Sequence, residues 1–418
     1  MALKPQLGLF STTLYGIGII LGAGVYTLIG VGAGLAGNSL WLAFLISALI
    51  AIFTGLSYAE LSTLFPKSAA EYNYTKAAFK KEWFSFLIQW IFIIGTIVSA
   101  AAVALGFAGY FTHTFGGDPL IVAIGLIVAM SILNYIGIKE SASFNNFASI
   151  LEVGGLLIVV AIWLFFPVQT PQNLLEFPTN GWTGIIAAVG VVFFAYIGFE
   201  NIANLAEEVK DSKKTIPTAL ILSLAISTVL YMLISVASIS VVGSEKLSTS
   251  SAPLTDVVTT VFPNQGYLFS LIALFATSNT VLVMLITSSR ILYGLSNGGS
   301  LPKSLSQISS RGTPFLAVIL VGVLTIAILF IGDLKTVVQL TDMGIFIAYA
   351  AVNAALIVLA KKSHDRGFVS PRVFGVPILA WLGVITSLFM LTHFELQIWI
   401  FQAVVVIIGV LIYFFNKK

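Results

Sequence analysis

The chain contains no cysteine, and only 9% of its 418 residues are charged. The missing cysteine excludes disulfides, thiolate metal sites and cysteine nucleophiles. Histidine is almost as scarce. His113, His364 and His393 lie in loops or at the ends of apolar runs, so no metal-binding cluster forms from sequence. Neither H-E-x-x-H nor G-x-S-x-G occurs, which removes two common hydrolase signatures. What replaces charge is apolar surface: 58% of residues are hydrophobic, against roughly 45–50% in a soluble globular chain. The composition is that of an all-α, polytopic membrane protein.

One helical crossing needs about 20 apolar residues. Runs of that kind occur near 9–35, 39–62, 83–112, 119–137, 144–166, 182–206, 216–243, 266–296, 314–331, 336–361, 375–393 and 395–415, which predicts 12 membrane helices. A β-barrel would give short alternating segments instead. The start, MALKPQLGLF, runs directly into the first apolar segment, as expected of a retained span rather than a cleaved signal.

With the N-terminus in the cytoplasm, all of the 20 lysines and arginines except Lys246 and Lys335 fall on the cytoplasmic side. That is the positive-inside rule, and it predicts two cytoplasmic termini. The basic surplus is therefore topological, and no nucleic-acid partner is read into it. The loop 66–83, PKSAAEYNYTKAAFKKEW, reads either as a short interfacial helix or as a solvated loop.

The first apolar run contains GIGIILGAGVYTLIG, residues 16–30, with five glycines. Small residues let membrane helices approach closely, and Gly18, Gly22 and Gly30 share one face. A second unusual segment favours a different reading. The sixth run carries Gly198 and the acidic Glu200 in FFAYIGFE, residues 193–200. It is the counterpart of the first run five crossings later, in the opposite direction. Paired interruptions of this sort point to an inverted-repeat transporter.

Broken membrane helices leave amides and carbonyls that must be buried or face a cavity. A zwitterion satisfies both kinds. Its carboxylate fits the amides around Ala23, Gly24 and Val25, where the helix dipole favours an anion. Its ammonium fits carbonyls near Ile19, Ile20, Phe194 and Ala195, and Tyr196 and Gly198 complete the candidate substrate-binding shell.

Over essentially its whole length the sequence resembles the amino acid–polyamine–organocation transporter superfamily, most closely its permeases of the cationic-amino-acid-transporter type. The resemblance rests on GIGIILGAGVY (16–26), YAELSTLFPKSAAEYNY (58–74), GIKESASFNN (137–146), FFAYIGFENIANLAEEVKDSKKTIP (193–217), SRILYGLSNGGSLP (289–302) and LTDMGIFIAYAAVN (340–353). It implies the five-plus-five inverted-repeat fold of the bacterial leucine transporter, with discontinuous helices 1 and 6 and two peripheral helices. The expected units are 1–166, 182–361 and 375–415. It also implies that Gly22–Gly24 bind the substrate carboxylate and that Phe194 closes over substrate. SAAEY (68–72) and SNGGS (296–300) depart from the family pattern.

Ionisable residues inside membrane spans are functional hypotheses by default. Glu152 stands where proton-coupled relatives of similar sequence carry a lysine; it either carries a proton or is a structural carboxyl. Glu200, just past the second interruption, either couples protonation to release or holds the unwound backbone. Asp342 reads as an outer gate or an interfacial residue. Glu60 and Arg290 read as an inner latch, or as capping and snorkelling groups. Thr277, Ser278 and Thr280 either shape a polar or sodium site with span 1 carbonyls or bond between helices.

The function expected from these readings is secondary active amino-acid transport at the cell membrane by alternating access. Neutral substrates are favoured, because the third run lacks an acidic residue between Trp83 and Thr112, and proton coupling is expected with Glu152 and Glu200 as the candidate carriers. Exchange, sodium coupling and a non-transporting amino-acid sensor are the alternatives. No cofactor and no enzymatic activity are expected.

Overall fold

A computed structural model describes residues 4–166, 173–176, 181–250, 252–330, 334–361 and 367–416. Lys362, His364, Arg366, Lys417 and Lys418, and the side chains of Ala23, His113 and Lys335, lie outside what is described. The elements are helical. In chain order they are α1 (Leu9–Ala36), α2 (Leu40–Leu64), α3 (Ala70–Phe79), α4 (Glu82–Phe115), α5 (Pro119–Ile136), α6 (Ile138–Phe165), α7 (Gly181–Val192), α8 (Ser212–Val242), α9 (Ser244–Thr249), α10 (Pro253–Val261), α11 (Gly266–Asn297), α12 (Phe315–Ile328), α13 (Leu334–Ala360), α14 (Ile378–Leu391) and α15 (Leu396–Asn416). Local chemistry marks some starts. Asp118 accepts hydrogen bonds from the amides of Leu120 and Ile121 at 2.8 and 3.1 Å, with Pro119 in the first turn, a standard N-terminal cap for α5.

Among the described residues, ten helical stretches are long and apolar enough to cross a membrane. Twelve were expected from hydropathy. The difference lies in α12 and α14, apolar helices of 14 residues each that begin directly after Pro314 and Pro377. Hydropathy counts the flanking apolar residues, whereas proline sets where the helix starts.

Helix α1 packs against α6, α7, α8 and α11, which places it at the centre of the bundle. Helix α4 packs against α11 and α13, while α15 covers the outside of α4 and α13. The loop 66–83 contains α3, a helix whose Ala70, Glu71, Tyr74 and Thr75 are buried. It packs on α13 and α4, so it closes one end of the bundle instead of lying free at the lipid surface.

Both sequence interruptions are backbone interruptions. In α1, Gly22 has φ −39° and ψ −132°, a kink between two helical halves. After α7 the chain passes through a short 3-10 turn, Phe193–Tyr196, then extended Ile197, then Gly198 at φ 131°, then a second 3-10 stretch, Phe199–Leu205. A side chain at Gly198 would be strained at that φ, and a Cβ there would lie 2.8 Å from Ile19.

Candidate functional site

The two interruptions face each other. Gly24 sits so close to the second one that a Cβ on it would lie 2.6 Å from the Ala195 Cα. A Cβ on Gly22 would land on the Thr280 hydroxyl of α11. Between the interruptions lies a cavity of about 10 Å³, room for about one water, lined by Ile19, Ile20, Gly24, Phe194, Ile197 and Thr280 together with Ser99, Val103 and Met284. Five of the residues singled out from sequence, Ile19, Ile20, Gly24, Phe194 and Thr280, thus meet. Val25 is buried in the second half of α1. Tyr196 points elsewhere: its hydroxyl donates to the Phe44 carbonyl at 3.1 Å.

Thr277 and Ser278 donate back to their own helix, to the carbonyls of Ala273 and Phe275, in place of the bonds between helices read from sequence. Thr280 is shared: its hydroxyl lies 3.4 Å from the Gly18 carbonyl and 3.2 Å from that of Ala276. Sequence reading missed Ser99, Val103 and Met284, which no apolar stripe singles out, and Tyr231, although Ser223, Ser227 and Ser235 at four-residue spacing mark its face.

Tyr231 of α8 is the most informative of the missed residues. Its buried hydroxyl reaches both the Ile20 carbonyl and the Ala195 carbonyl, the latter at 2.8 Å. These are two of the carbonyls assigned above to a substrate ammonium. A hydroxyl donates one hydrogen, so two acceptors share one donor.

The acidic residues differ in how they are held. Glu200 accepts from the Tyr349 hydroxyl at 2.7 Å and from the Gly198 amide at 3.0 Å, so it ties α13 to the interruption. Glu152 is fully buried, and neither carboxyl oxygen has a hydrogen-bond partner among the described residues. A further polar cluster surrounds Gly18, whose position is approached by Ser149, Asn279 and Asn145. Ser149 donates to the Leu14 carbonyl and accepts from Asn279, while both polar atoms of Asn145 and the oxygen of Asn279 lack partners among the described residues.

Above Phe194 and Val103 opens a larger cavity of about 710 Å³, which those two residues share with the small one. Below, the bundle is closed by ion pairs and hydrogen bonds. Glu60 and Arg290 do not meet. Arg290 bonds to Glu208 twice, Nε–Oε2 at 3.0 Å and Nη2–Oε1 at 3.1 Å, and to the Asn134 oxygen at 2.7 Å. Glu60 pairs with Arg372 at 2.6 Å and accepts from the amide and hydroxyl of Ser370. The N-terminal segment joins the same closure, with the amides of Gln6 and Leu7 donating to the Glu208 carbonyl.

Glu71 of α3 is a further tie. It accepts from Tyr58 of α2, Gln89 of α4 and Asn204 at 2.8, 2.8 and 3.4 Å. Burial pushes its carboxyl above the ordinary carboxylate range, and these donors pull it partly back.

A chain of membrane-length helices around two facing helix interruptions has a sequence counterpart: the family model for amino acid permeases matches residues 7–415. The chain belongs to the amino acid permease family. It is 30% identical to the branched-chain amino acid permease BcaP of Bacillus subtilis (strain 168), over 100% of this chain and 94% of that one. It is 28% identical to the methylthioribose transporter of the same organism, with the same coverage. Against the vacuolar cationic amino acid transporter 4 of Arabidopsis thaliana it is 28% identical over 87% of this chain and 64% of the relative. This permease is accordingly a multi-pass membrane protein, and the relatives named here are transporters and permeases, not enzymes.

Proposed function

We propose that the chain is a secondary active transporter of neutral, apolar amino acids, working by alternating access in the cell membrane with both termini cytoplasmic. The substrate sits between the α1 kink and the Phe193–Gly198 interruption. The observation that carries this reading is Tyr231, which caps the Ile20 and Ala195 carbonyls where an ammonium with three donors would replace it. Ile19, Val103, Phe194 and Met284 make the wall apolar, which suits an aliphatic side chain. The relative named a branched-chain amino acid permease agrees with that choice.

The architecture is read as twelve spans, 1–166 and 182–361 being the inverted repeats and 375–415 peripheral. The closed end with Arg290 is the cytoplasmic one. The conformation is then outward-facing, with Phe194 standing between the large cavity and the small one.

Purified protein in liposomes tests the reading. Labelled leucine accumulates under an inward acid pH gradient. If none of the twenty amino acids is taken up or exchanged under a proton or sodium gradient, the reading fails; uptake of methylthioribose alone would replace the substrate class.

Proton coupling is assigned to Glu152, a fully buried carboxyl neither of whose oxygens has a partner among the described residues, since ionisable groups within spans are costly and mark ion pathways. Glu152→Gln removes the pH dependence of uptake. Glu200→Gln keeps it, since an amide oxygen still accepts from Tyr349 and Gly198. Full pH dependence in Glu152→Gln overturns the assignment. The second reading, sodium coupling, is favoured by the unpartnered oxygens of Asn145 and Asn279 around Gly18, a set of hard oxygen donors. Sodium-dependent uptake lost in Asn279→Ala would select it.

Tyr231→Phe gives a third readout. Without its donor two buried carbonyls go unsatisfied, which costs the empty protein about 1–3 kcal/mol. Leucine then raises the melting temperature more in the variant than in the parent protein. An equal shift in both would show that Tyr231 and the ammonium do not share these carbonyls.

A further inference from the structure

The two cavities beside Phe194 lie inside the bundle, and the larger one encloses Asp342, which is 3% exposed. A third, of about 260 Å³, lies on the outside between α5 and α12. Val128, Ser131, Ile132 and Tyr135 come from α5, and the α12 wall runs from Phe315 to Ile326 at the same spacings of three and four, so one face of each helix lines the groove. The floor is where the helices touch: a Cβ on Gly322 would lie 2.8 Å from the Ser131 hydroxyl. The rim faces outward, with Ile132, Ile319 and Val323 55%, 46% and 58% exposed. From Phe315 to Ile326 the helix rises about 16 Å, close to half of the roughly 30 Å hydrocarbon core of a bilayer. The groove is thus as long as one leaflet is deep. Its volume leaves room for a hydrocarbon chain and not for a helix, which is about 10 Å across.

One end of the groove is closed and charged. The Tyr135 and Phe315 rings meet there at 5.6 Å, and the Thr313 hydroxyl donates to the Tyr135 carbonyl at 3.0 Å. Just before Phe315 the chain makes a turn, fixed by the Ser309 amide on the Thr313 carbonyl at 2.9 Å and by Gly312 at φ 80°. The turn carries Arg311, whose carbonyl lies against Gly137, two residues before Lys139. Arg311 and Lys139 are exposed, and neither has an ion-pair partner among the described residues. One acid shares the corner: Oε2 of Glu140 would lie 2.7 Å from a Cβ on Gly137. Two cations and one acid therefore stand at the mouth of an apolar groove, at the end that the charge pattern places in the cytoplasm.

We propose that this groove is a binding site for an anionic glycerophospholipid of the inner leaflet. One acyl chain lies between α5 and α12, and the phosphate rests on Arg311 and Lys139. The guanidinium offers paired N–H donors to two phosphate oxygens, and the ammonium adds a point charge. A zwitterionic lipid brings the same chain and phosphate, but also an ammonium that the two cations repel. Headgroup charge therefore selects the ligand, while the groove supplies affinity common to both lipids. The choice of leaflet rests on the cytoplasmic placement of this end; the binding itself does not.

Native mass spectrometry of the full chain in detergent tests the site, with palmitoyl-oleoyl phosphatidylglycerol and the phosphatidylcholine of the same chains as probes. The anionic lipid binds about fivefold more tightly, since each basic residue is worth about fivefold at an anionic headgroup and Glu140 offsets one of the two. Arg311→Gln with Lys139→Gln brings the ratio to one or below. Glu140→Gln raises it to about 25-fold. Lys213→Gln, at an exposed lysine on α8, leaves it unchanged. Ile132→Trp with Val323→Trp narrows the groove from both walls and weakens both lipids, with melting temperatures recorded to show that the variants fold. Equal affinity for the two lipids, a preference that survives loss of both cations, or lipid affinities untouched by the tryptophans overturns the proposal. Oleate binding more tightly than phosphatidylglycerol overturns it as well, in favour of a free fatty acid.

Discussion

Gly24→Val abolishes leucine uptake while Gly154→Ala leaves it at the parental level. The contrast is geometric. A Cβ on Gly24 would lie 2.6 Å from the Ala195 Cα and 2.8 Å from its Cβ, and no rotamer change moves a backbone atom aside. The two interruptions must then separate. Overpacking of this sort costs about 1–3 kcal/mol in the folded protein. Its larger effect falls on the proposed site, where the amides of α1 and the carbonyls after α7 would hold one small ligand at the same time. At Gly154 a Cβ meets nothing within 4 Å, so alanine adds helix propensity and no clash. Gly22→Ala lies between the two, since the clash there is with the Thr280 hydroxyl, which is a side chain and can give. Uptake in liposomes, with melting temperature recorded on the same preparations, separates loss of function from loss of fold. Parental uptake by Gly24→Val would sink the assignment of the substrate to this gap.

Arg290→Met lowers stability by about 3–5 kcal/mol, the cost of leaving one member of a buried ion pair unpaired. Exposure decides the magnitude: the side chains of Arg290 and Glu208 are 0% and 1% exposed. An exposed pair would be worth about 0–1 kcal/mol. Glu208→Leu alone is equally harmful, because among the described residues the guanidinium keeps Asn134 and Ser289 as its hydrogen-bond partners. The double variant Arg290→Met with Glu208→Leu recovers most of the loss, since apolar side chains of similar size replace the pair. Asn134 then limits the recovery by losing its donor. Unfolding of the purified variants in detergent reads the three stabilities. A double variant no more stable than the single ones would place the cost elsewhere than in the unpaired charge.

The glycine-rich stretch 16–30 and FFAYIGFE, 193–200, announce the interruptions through local backbone chemistry, and the structure has Gly22 and Gly198 off the helical path in those two stretches. Glu208, by contrast, sits in the EEVK string without any sign that its partner is 82 residues further on. Glu60 drew attention as a membrane-end acid, yet its partners Ser370 and Arg372 lie more than 300 residues away. Tyr231 is one of 13 tyrosines, and the serines at four-residue spacing around it, Ser223, Ser227 and Ser235, mark its face without saying what that face meets.

The sequence by itself determined the membrane environment, most of the helical runs and where two helices fail. Each of these depends on neighbours along the chain: a run of apolar side chains, a proline at a helix start, a glycine where the backbone leaves the helix. The tertiary structure decided which side of each helix turns inward, and with it the partners of Arg290 and Glu60, the hydroxyl over the Ile20 and Ala195 carbonyls, and the enclosure of Asp342. A helix surrounded by lipid and protein is apolar on all sides. Its rotation is therefore fixed by close packing at residues such as Gly18 and Gly24, not by any pattern that can be read along the chain.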